Sequence, residues 1–135
     1  MKAILATLLA AASFSSFAQQ LTVDWTWKKD HLCKPDSPEL AVGNIPDGTR
    51  KLEVNMRDLD YQNFDHGGGT VDYTGGPGKT TIVAGTLKQY VGPCPGSAFH
   101  GFGHDYVIYV TALGADGAKL ASGNNKKTFS STTAK

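Results

Sequence analysis

The sequence predicts an all-β domain, an antiparallel-rich β-sandwich with little or no helix. Every segment with a clear hydrophobic period shows the period of two that is typical of half-buried strands. Glycine contributes 16 of the 135 residues and charged residues contribute 19%, against averages of about 7% and about 25%. No window of about 11 residues carries the i, i+3, i+4, i+7 apolar spacing of an amphipathic helix. Short strands at close spacing favour a sandwich.

Residues 1–18 have the pattern of a secretory signal peptide. Lys2 precedes an apolar run, and small residues lead to Ala18 before Gln19. The run is too short to span a bilayer, and no later segment reaches the roughly 20 apolar residues that a span requires. The alternative is an N-terminal helix packed on the domain. The sequence therefore predicts one domain over residues 19–135, periplasmic or secreted, with no transmembrane span.

The first predicted strand lies within residues 20–28. Leu21, Val23, Trp25 and Trp27 alternate there with polar residues, so the four side chains share one face of a strand. That shared face favours packing of both tryptophans in the core. The alternative is a carbohydrate-binding platform.

The rest of the mature chain alternates turns with short strands. Residues 28–38 predict a loop, because its prolines lack the N–H donors that a central strand needs. The segment YVIYVTAL (106–113) is the most apolar and predicts a strand at the centre of a sheet. The other predicted strands and turns are a turn at 46–49, strands at 52–57, 70–73, 79–84, 87–91 and 127–131, a hairpin turn at 116–117, and a frayed tail at 132–135.

Bulk charge excludes nucleic acid as the partner. Thirteen Lys and Arg stand against twelve Asp and Glu. Removal of the leader takes Lys2 with it, which leaves twelve residues of each sign and a formal charge of zero. Binding to a phosphate backbone depends on a local excess of Lys and Arg.

The chain has two cysteines, Cys33 and Cys94. An even count in an exported chain favours a disulfide, because oxidising compartments allow such a pair to close. The alternative is two separate buried thiols. A bridge over this separation would stabilise the fold by roughly 4 kcal/mol in the chain-entropy model.

Two carboxylates and a histidine are the first candidates for chemistry. Asp58 and Asp60 are spaced to lie on one face at the end of a strand. His66 precedes three glycines, and the backbone N–H groups around Gly67 would form a concavity for an anion. Each motif taken alone has a structural alternative. The two carboxylates would then only open a solvent-exposed turn, and His66 would lie in a surface loop with no role in binding. Together they outline a small-ligand site.

Two aromatic segments complete this candidate site. The segment YVGPCPG (90–96) brings Tyr90, Gly92 and Pro95, and the start of a later strand brings His104 and Tyr106. The imidazoles would donate hydrogen bonds that depend on pH, and the phenol groups would provide donors and pocket wall.

Taken in order, these segments resemble the phosphatidylethanolamine-binding protein family, in its bacterial Raf-kinase-inhibitor-like branch. The resemblance implies a trimmed version of that family's β-sandwich around a small anion pocket. It implies ligand-binding roles for Asp58, Asp60, His66, the loop Gly92–Pro95, His104 and Tyr106. The matching segments are CKPDSPEL (33–40), IPDGTRKLEV (45–54), RDLD (57–60), the histidine, YVGPCP (90–95) and HDYVIYVTAL (104–113).

The chain also departs from the family pattern. Leu59 stands in place of a proline, Asp105 in place of an arginine and Gly96 in place of the second loop proline. Three glycines follow His66, where the family has a tryptophan and an apolar strand. These departures predict a pocket with fewer covering loops.

We therefore expect an exported, non-enzymatic binding protein for a small phosphate-type or zwitterionic ligand. The alternative is a protein-interaction module that inhibits a protease or kinase. No cofactor and no metal are predicted, because the four histidines lack ligand spacing, and His100 is expected to be a loop residue. A hydrolase would need a nucleophile beside its base, for which only Ser97 and Cys94 are near.

Overall fold

The computed structural model describes residues 19–96 and 102–135, and over these residues the protein is all-β. All strand pairs are antiparallel, and the described residues contain no α-helix, only a short 3-10 helix at Lys29–His31. The strands are β1 (Thr22–Asp24), β2 (Leu40–Ile45), β3 (Lys51–Asp58), β4 (Asp65–Asp72), β5 (Gly78–Ile82), β6 (His104–Leu113) and β7 (Lys119–Phe129).

Two antiparallel sheets enclose the core, as in a β-sandwich. One has the order β1-β2-β5 and the other has the order β4-β3-β6-β7. The strand β6 lies between β3 and β7, which confirms that its apolar run is central to a sheet. Side chains from both sheets form one buried cluster, including Trp25, Val42, Met56 and Ile108. The period of two is what gives each sheet one apolar face for this cluster.

The N-terminal segment confirms the predicted alternation. Leu21, Val23, Trp25 and Trp27 are buried, and the residues between them are exposed. The regular strand is shorter than predicted, because only Thr22–Asp24 pair with β2. Both tryptophans are 3% exposed, so they are core residues and not a platform on the surface.

The strand prediction was wrong for β2, for the start of β4, for residues 87–91 and for the last strand, which begins at Lys119 instead of residue 127. The strand β2 was missed, because a register shift between Val42 and Ile45, with Asn44 at a φ of 56°, interrupts its alternation. The strand β4 begins at Asp65, so the glycine run belongs to the strand instead of a turn. Residues 87–91 form no regular strand.

The prediction of a frayed C-terminal tail was also wrong. The Lys135 N–H donates to the Trp27 carbonyl at 2.9 Å, and the Lys29 N–H donates to the Lys135 carbonyl at 3.0 Å. Ala134 is 6% exposed and packs in the core. The tail is therefore tied to the N-terminal segment, since backbone bonds to a buried partner hold it.

The predicted signal peptide, residues 1–18, lies outside the described residues. Within the described part of the chain, no helix has the length and apolar character needed to cross a membrane.

Candidate functional site

Asp58 is the centre of a buried polar cluster at the end of β3. Alternation along β3 turns Leu52, Val54, Met56 and Asp58 toward the core, and the Asp58 side chain is 4% exposed. Its Oδ1 accepts the N–H groups of Asp60 at 2.9 Å and Tyr61 at 3.0 Å. This carboxylate therefore closes the turn that ends the strand, as Asp side chains commonly do.

The second oxygen of Asp58 binds a histidine. His104 opens β6, and its Nδ1 lies 2.7 Å from Asp58 Oδ2. Burial raises the pKa of Asp58, but the hydrogen bonds from His104 and from the two backbone N–H groups outweigh it and hold that pKa below its ordinary value. Asp58 is thus a carboxylate at neutral pH, and Nδ1 of His104 is the donor. The Nε2 atom of His104 is left without a partner among the described residues.

His66 approaches Asp58 from the neighbouring strand β4. Its Nδ1 donates to the Val91 carbonyl at 2.8 Å, since a carbonyl can only accept. Its Nε2 lies 3.9 Å from Asp58 Oδ2. The proton on Nδ1 is thus held in both histidines, and Nε2 is the nitrogen that each can offer to a ligand. A neutral ring offers an acceptor there, and a protonated ring offers a donor.

Tyr106 packs between the two imidazoles. Its ring centroid lies 5.3 Å from that of His66, edge to face, and 6.3 Å from that of His104, stacked. Tyr106 is fully buried and Tyr90 is 4% exposed. Neither hydroxyl has a hydrogen-bond partner among the described residues. Tyr106 therefore lies under the influence of the Asp58 charge, and both hydroxyls are buried donors that have no acceptor among the described residues.

Both tyrosines are held in the protonated form. Burial raises the pKa of Tyr90, and burial together with the Asp58 charge raises the pKa of Tyr106. When folding raises the pKa of a tyrosine, the resulting stabilisation of the folded state is present below the ordinary pKa of 10.0. This stabilisation is lost as the pH rises above that value.

We expect Tyr90→Phe and Tyr106→Phe each to reduce the steepness with which stability falls above about pH 10. Each substitution removes one group that ionises only on unfolding. Urea unfolding at a series of alkaline pH values measures this slope directly. The same slope in the wild type and in both variants would contradict the prediction.

Asp60 does not share the predicted face with Asp58. The strand β3 ends at Asp58, so Asp60 lies in the turn and is exposed. Its Oδ2 accepts the Asp105 N–H at 2.7 Å. The prediction that the two carboxylates lie on one face at the end of a strand was wrong, because the strand ends before the second one. Asp60 holds the turn against the start of β6.

The glycines at the site allow close contact between backbones. The Gly67 N–H donates to Asp65 Oδ1, and the Gly92 N–H donates to the Lys34 carbonyl, each at 2.9 Å. A Cβ atom on Gly67 would lie 2.0 Å from the Gln89 carbonyl oxygen, and one on Gly92 would lie 2.2 Å from that of Lys34. These N–H groups are therefore already paired, and the expectation that they donate to an anion was wrong.

The disulfide between Cys33 and Cys94 is confirmed, with Cα atoms 4.5 Å apart. It attaches the loop after Tyr90 to the loop after the 3-10 helix. Pro95, one residue before the end of the described part of this loop, is buried. The predicted residues Tyr90, Gly92 and Pro95 thus lie on a loop that contacts β4 through His66.

The sequence reasoning missed several exposed apolar side chains in the loops that flank the site residues, of which Phe64 contacts the cluster. The Phe64 ring lies 4.7 Å from the His66 ring, and the Val91 carbonyl binds His66. The available signal was the apolar character of three loop segments that flank the site residues. The five side chains are Leu59, Tyr61, Phe64, Val91 and Phe102, exposed by 39%, 57%, 41%, 43% and 84%.

Other candidate residues lie apart from the cluster or outside the described residues. His31 belongs to the 3-10 helix and accepts the Lys28 N–H. His100 and Ser97 lie outside the described residues. Within the described ranges, no three His, Cys, Asp or Glu side chains are grouped to hold a metal ion.

These observations define an all-β protein of two antiparallel sheets with a buried Asp-His-His-Tyr cluster at the end of the central strands. Comparison with protein-family models, with curated proteins and with solved structures finds no match. The resemblance to the phosphatidylethanolamine-binding family stays a prediction from the sequence.

Proposed function

We propose that the protein is an exported, non-enzymatic binding protein for a small phosphate-type or zwitterionic ligand of the phospholipid head-group kind. The observation that carries the proposal is the arrangement of the two histidines. Each holds its Nδ1 proton in an internal hydrogen bond, so Nε2 is the nitrogen that would contact a ligand, and in His66 it lies 3.9 Å from the Asp58 carboxylate. The order of the motifs, which resembles the phosphatidylethanolamine-binding family, supports the same site.

Charge favours a ligand with both an acidic and a basic group. Asp58 carries its negative charge among three hydrogen-bond donors. A protonated Nε2 on His104, whose side chain is 25% exposed, would donate to a phosphate oxygen. The exposed carboxylate of Asp60 would attract an ammonium group at the edge of the site. A phosphate alone would meet these carboxylates without compensation.

The exposed apolar side chains favour a ligand with an apolar part. Phe64 is exposed with its ring 4.7 Å from that of His66, and Val91 and Phe102 are exposed in the segments that carry other site residues. Contact with an apolar chain would remove these side chains from water, which contributes about 25 cal/mol per Å². This juxtaposition of a polar centre and apolar surroundings suits an amphiphile better than inorganic phosphate.

Binding is favoured over catalysis by the partners of the histidines. Among the described residues, neither imidazole is hydrogen-bonded to a hydroxyl or a thiol. Cys94 is held in the disulfide. An activated nucleophile requires such a bond to a base.

We expect His66→Ala and His104→Ala each to weaken binding of phosphoethanolamine by about 1.5–3 kcal/mol, the range for a hydrogen bond to a charged group. Isothermal titration calorimetry of the wild type and of the two variants measures this loss. His31→Ala is the matched control, since His31 lies in the 3-10 helix and binds the Lys28 N–H.

Equal affinity in the wild type and in both variants would place binding elsewhere. Absence of any phosphoethanolamine binding would favour the alternative function, a protein-interaction module that inhibits a protease or kinase. Inhibition assays with purified enzymes of the two classes would then test that function.

A further inference from the structure

Val91 binds the loop that follows Tyr90 to His66 of the site. The Val91 N–H donates to the His66 carbonyl at 2.9 Å, and the Val91 carbonyl accepts the His66 Nδ1 proton at 2.8 Å. The second bond determines the tautomer of His66, because it keeps the proton on Nδ1. The position of Val91 therefore decides whether Nε2 is the free nitrogen.

The next three residues are held from the opposite side. The Cys33 N–H donates to the Pro93 carbonyl at 2.8 Å, and the Gly92 N–H donates to the Lys34 carbonyl at 2.9 Å. The Cys33–Cys94 disulfide closes this contact. Both contacting segments are loops, and the disulfide is the covalent link between them.

Cys33 itself is in an unfavourable conformation. Its φ is 55°, in the left-handed region that a residue with a Cβ adopts at a cost. Such a conformation persists only when its surroundings hold it. Here the surroundings are the disulfide and the bond from the Cys33 N–H to Pro93, so loss of the disulfide would favour relaxation of this loop pair.

We propose that the Cys33–Cys94 disulfide is a positioning element of the binding site, which holds His66 in its Nδ1-protonated tautomer through Val91. The coupling passes from the disulfide to the backbone at 92–94, then to Val91, then to His66. The effect on ligand affinity rests on the proposed function. The effect on the tautomer does not.

The same coupling makes the site responsive to thiol redox state. Both cysteine residues are exposed, so a dithiol reductant can reach them. In this exchange one dithiol thiolate attacks a sulfur of the disulfide, and its second thiol then closes the reductant's own disulfide. The reductant gives up two electrons and two protons, and Cys33 and Cys94 become two thiols.

The tautomer can be read by nitrogen-15 NMR of the ring nitrogens of His66 and His104 in the ligand-free chain, oxidised and after reduction with a dithiol. We expect reduction, or the Cys33→Ser/Cys94→Ser variant, to remove the Nδ1-protonated signature of His66 and to leave that of His104. His104 is the internal reference, because its Nδ1 binds Asp58 and not the loop. Reoxidation should restore the His66 signature.

Ile82→Ala is the control for loss of stability alone. Ile82 is buried on β5, in the other sheet, so its truncation destabilises the fold without touching the loop. An unchanged His66 signature after reduction would overturn the proposal. Loss of both histidine signatures together, as in global unfolding, would overturn it too.

Affinity for phosphoethanolamine should fall roughly tenfold on reduction, the lower end of the range for loss of a residue that orients a binding histidine. A tautomer change with no phosphoethanolamine binding in either redox state would reject the proposed function and support the positioning role.

Discussion

Asp58→Ala is expected to lower the free energy of unfolding by about 3 kcal/mol, because it removes one member of a buried charged network. Two backbone N–H groups and the His104 Nδ1 proton lose their acceptor. The partial exposure of His104, at 25% of its side chain, keeps the cost below that of a fully buried pair. Urea unfolding followed by the fluorescence of the buried tryptophans measures the change.

The stabilising effect of Asp58 should depend on pH in the acid range. Its pKa is below the ordinary value of 3.8 in the folded protein, so the stabilisation is present above that value and is lost as pH falls through the folded-state pKa. The difference between the wild type and Asp58→Asn should therefore be constant near neutrality and shrink below about pH 4.

Asp60→Ala is the control for Asp58→Ala. Asp60 is exposed and accepts one backbone N–H, so its truncation should cost about 0.5–1.5 kcal/mol, the net value of one hydrogen bond. Equal costs for Asp58→Ala and Asp60→Ala would show that the buried network is not what stabilises this end of β3.

Gly68→Ala is expected to destabilise the protein by about 3 kcal/mol or more, at the upper end for overpacking. A Cβ atom on Gly68 would lie 1.9 Å from the carbonyl oxygen of Val54 on β3. Both atoms belong to paired strands, so relieving this clash requires β3 and β4 to separate next to His66. Gly68 also exchanges two backbone hydrogen bonds with Gln89, which would be strained as well.

Gly96→Ala provides the matched control. No described residue lies within 4 Å of a Cβ atom built on Gly96, so the substitution should change stability by no more than about 0.5 kcal/mol. Urea unfolding curves of the two variants give the comparison. A Gly68→Ala variant as stable as Gly96→Ala would mean that the β3–β4 contact is looser than described.

The candidate site was predicted in part from sequence. Asp58, His66, His104 and Tyr106, which the sequence suggested as parts of one site, lie together in the fold. Asp60 could not be placed, because the end of a strand is decided by the turn that follows it. The pairing of the Gly67 and Gly92 N–H groups could not be found either, because their partners lie elsewhere in the chain.

The strands of the fold were also predicted only in part from the sequence. Strong alternation predicted β3 and β6 with nearly correct boundaries. The strand β2 escaped prediction because its bulge at Asn44 interrupts the pattern. The ordered position of the tail at 132–135 was not predicted, because it depends on backbone hydrogen bonds to Trp27 and Lys29.

Local periodicity by itself determined that this chain forms strands, that Leu52, Val54 and Met56 face inward, and that the class is all-β. Each of these follows from which side of a strand a residue occupies, which depends only on its neighbours in the chain. The tertiary structure alone decided which nitrogen of each histidine is free. That choice depends on a carbonyl 25 positions away for His66 and a carboxylate 46 positions away for His104. A hydrogen bond between distant residues is set by how the sheets and loops pack, and no short stretch of sequence contains both of its partners.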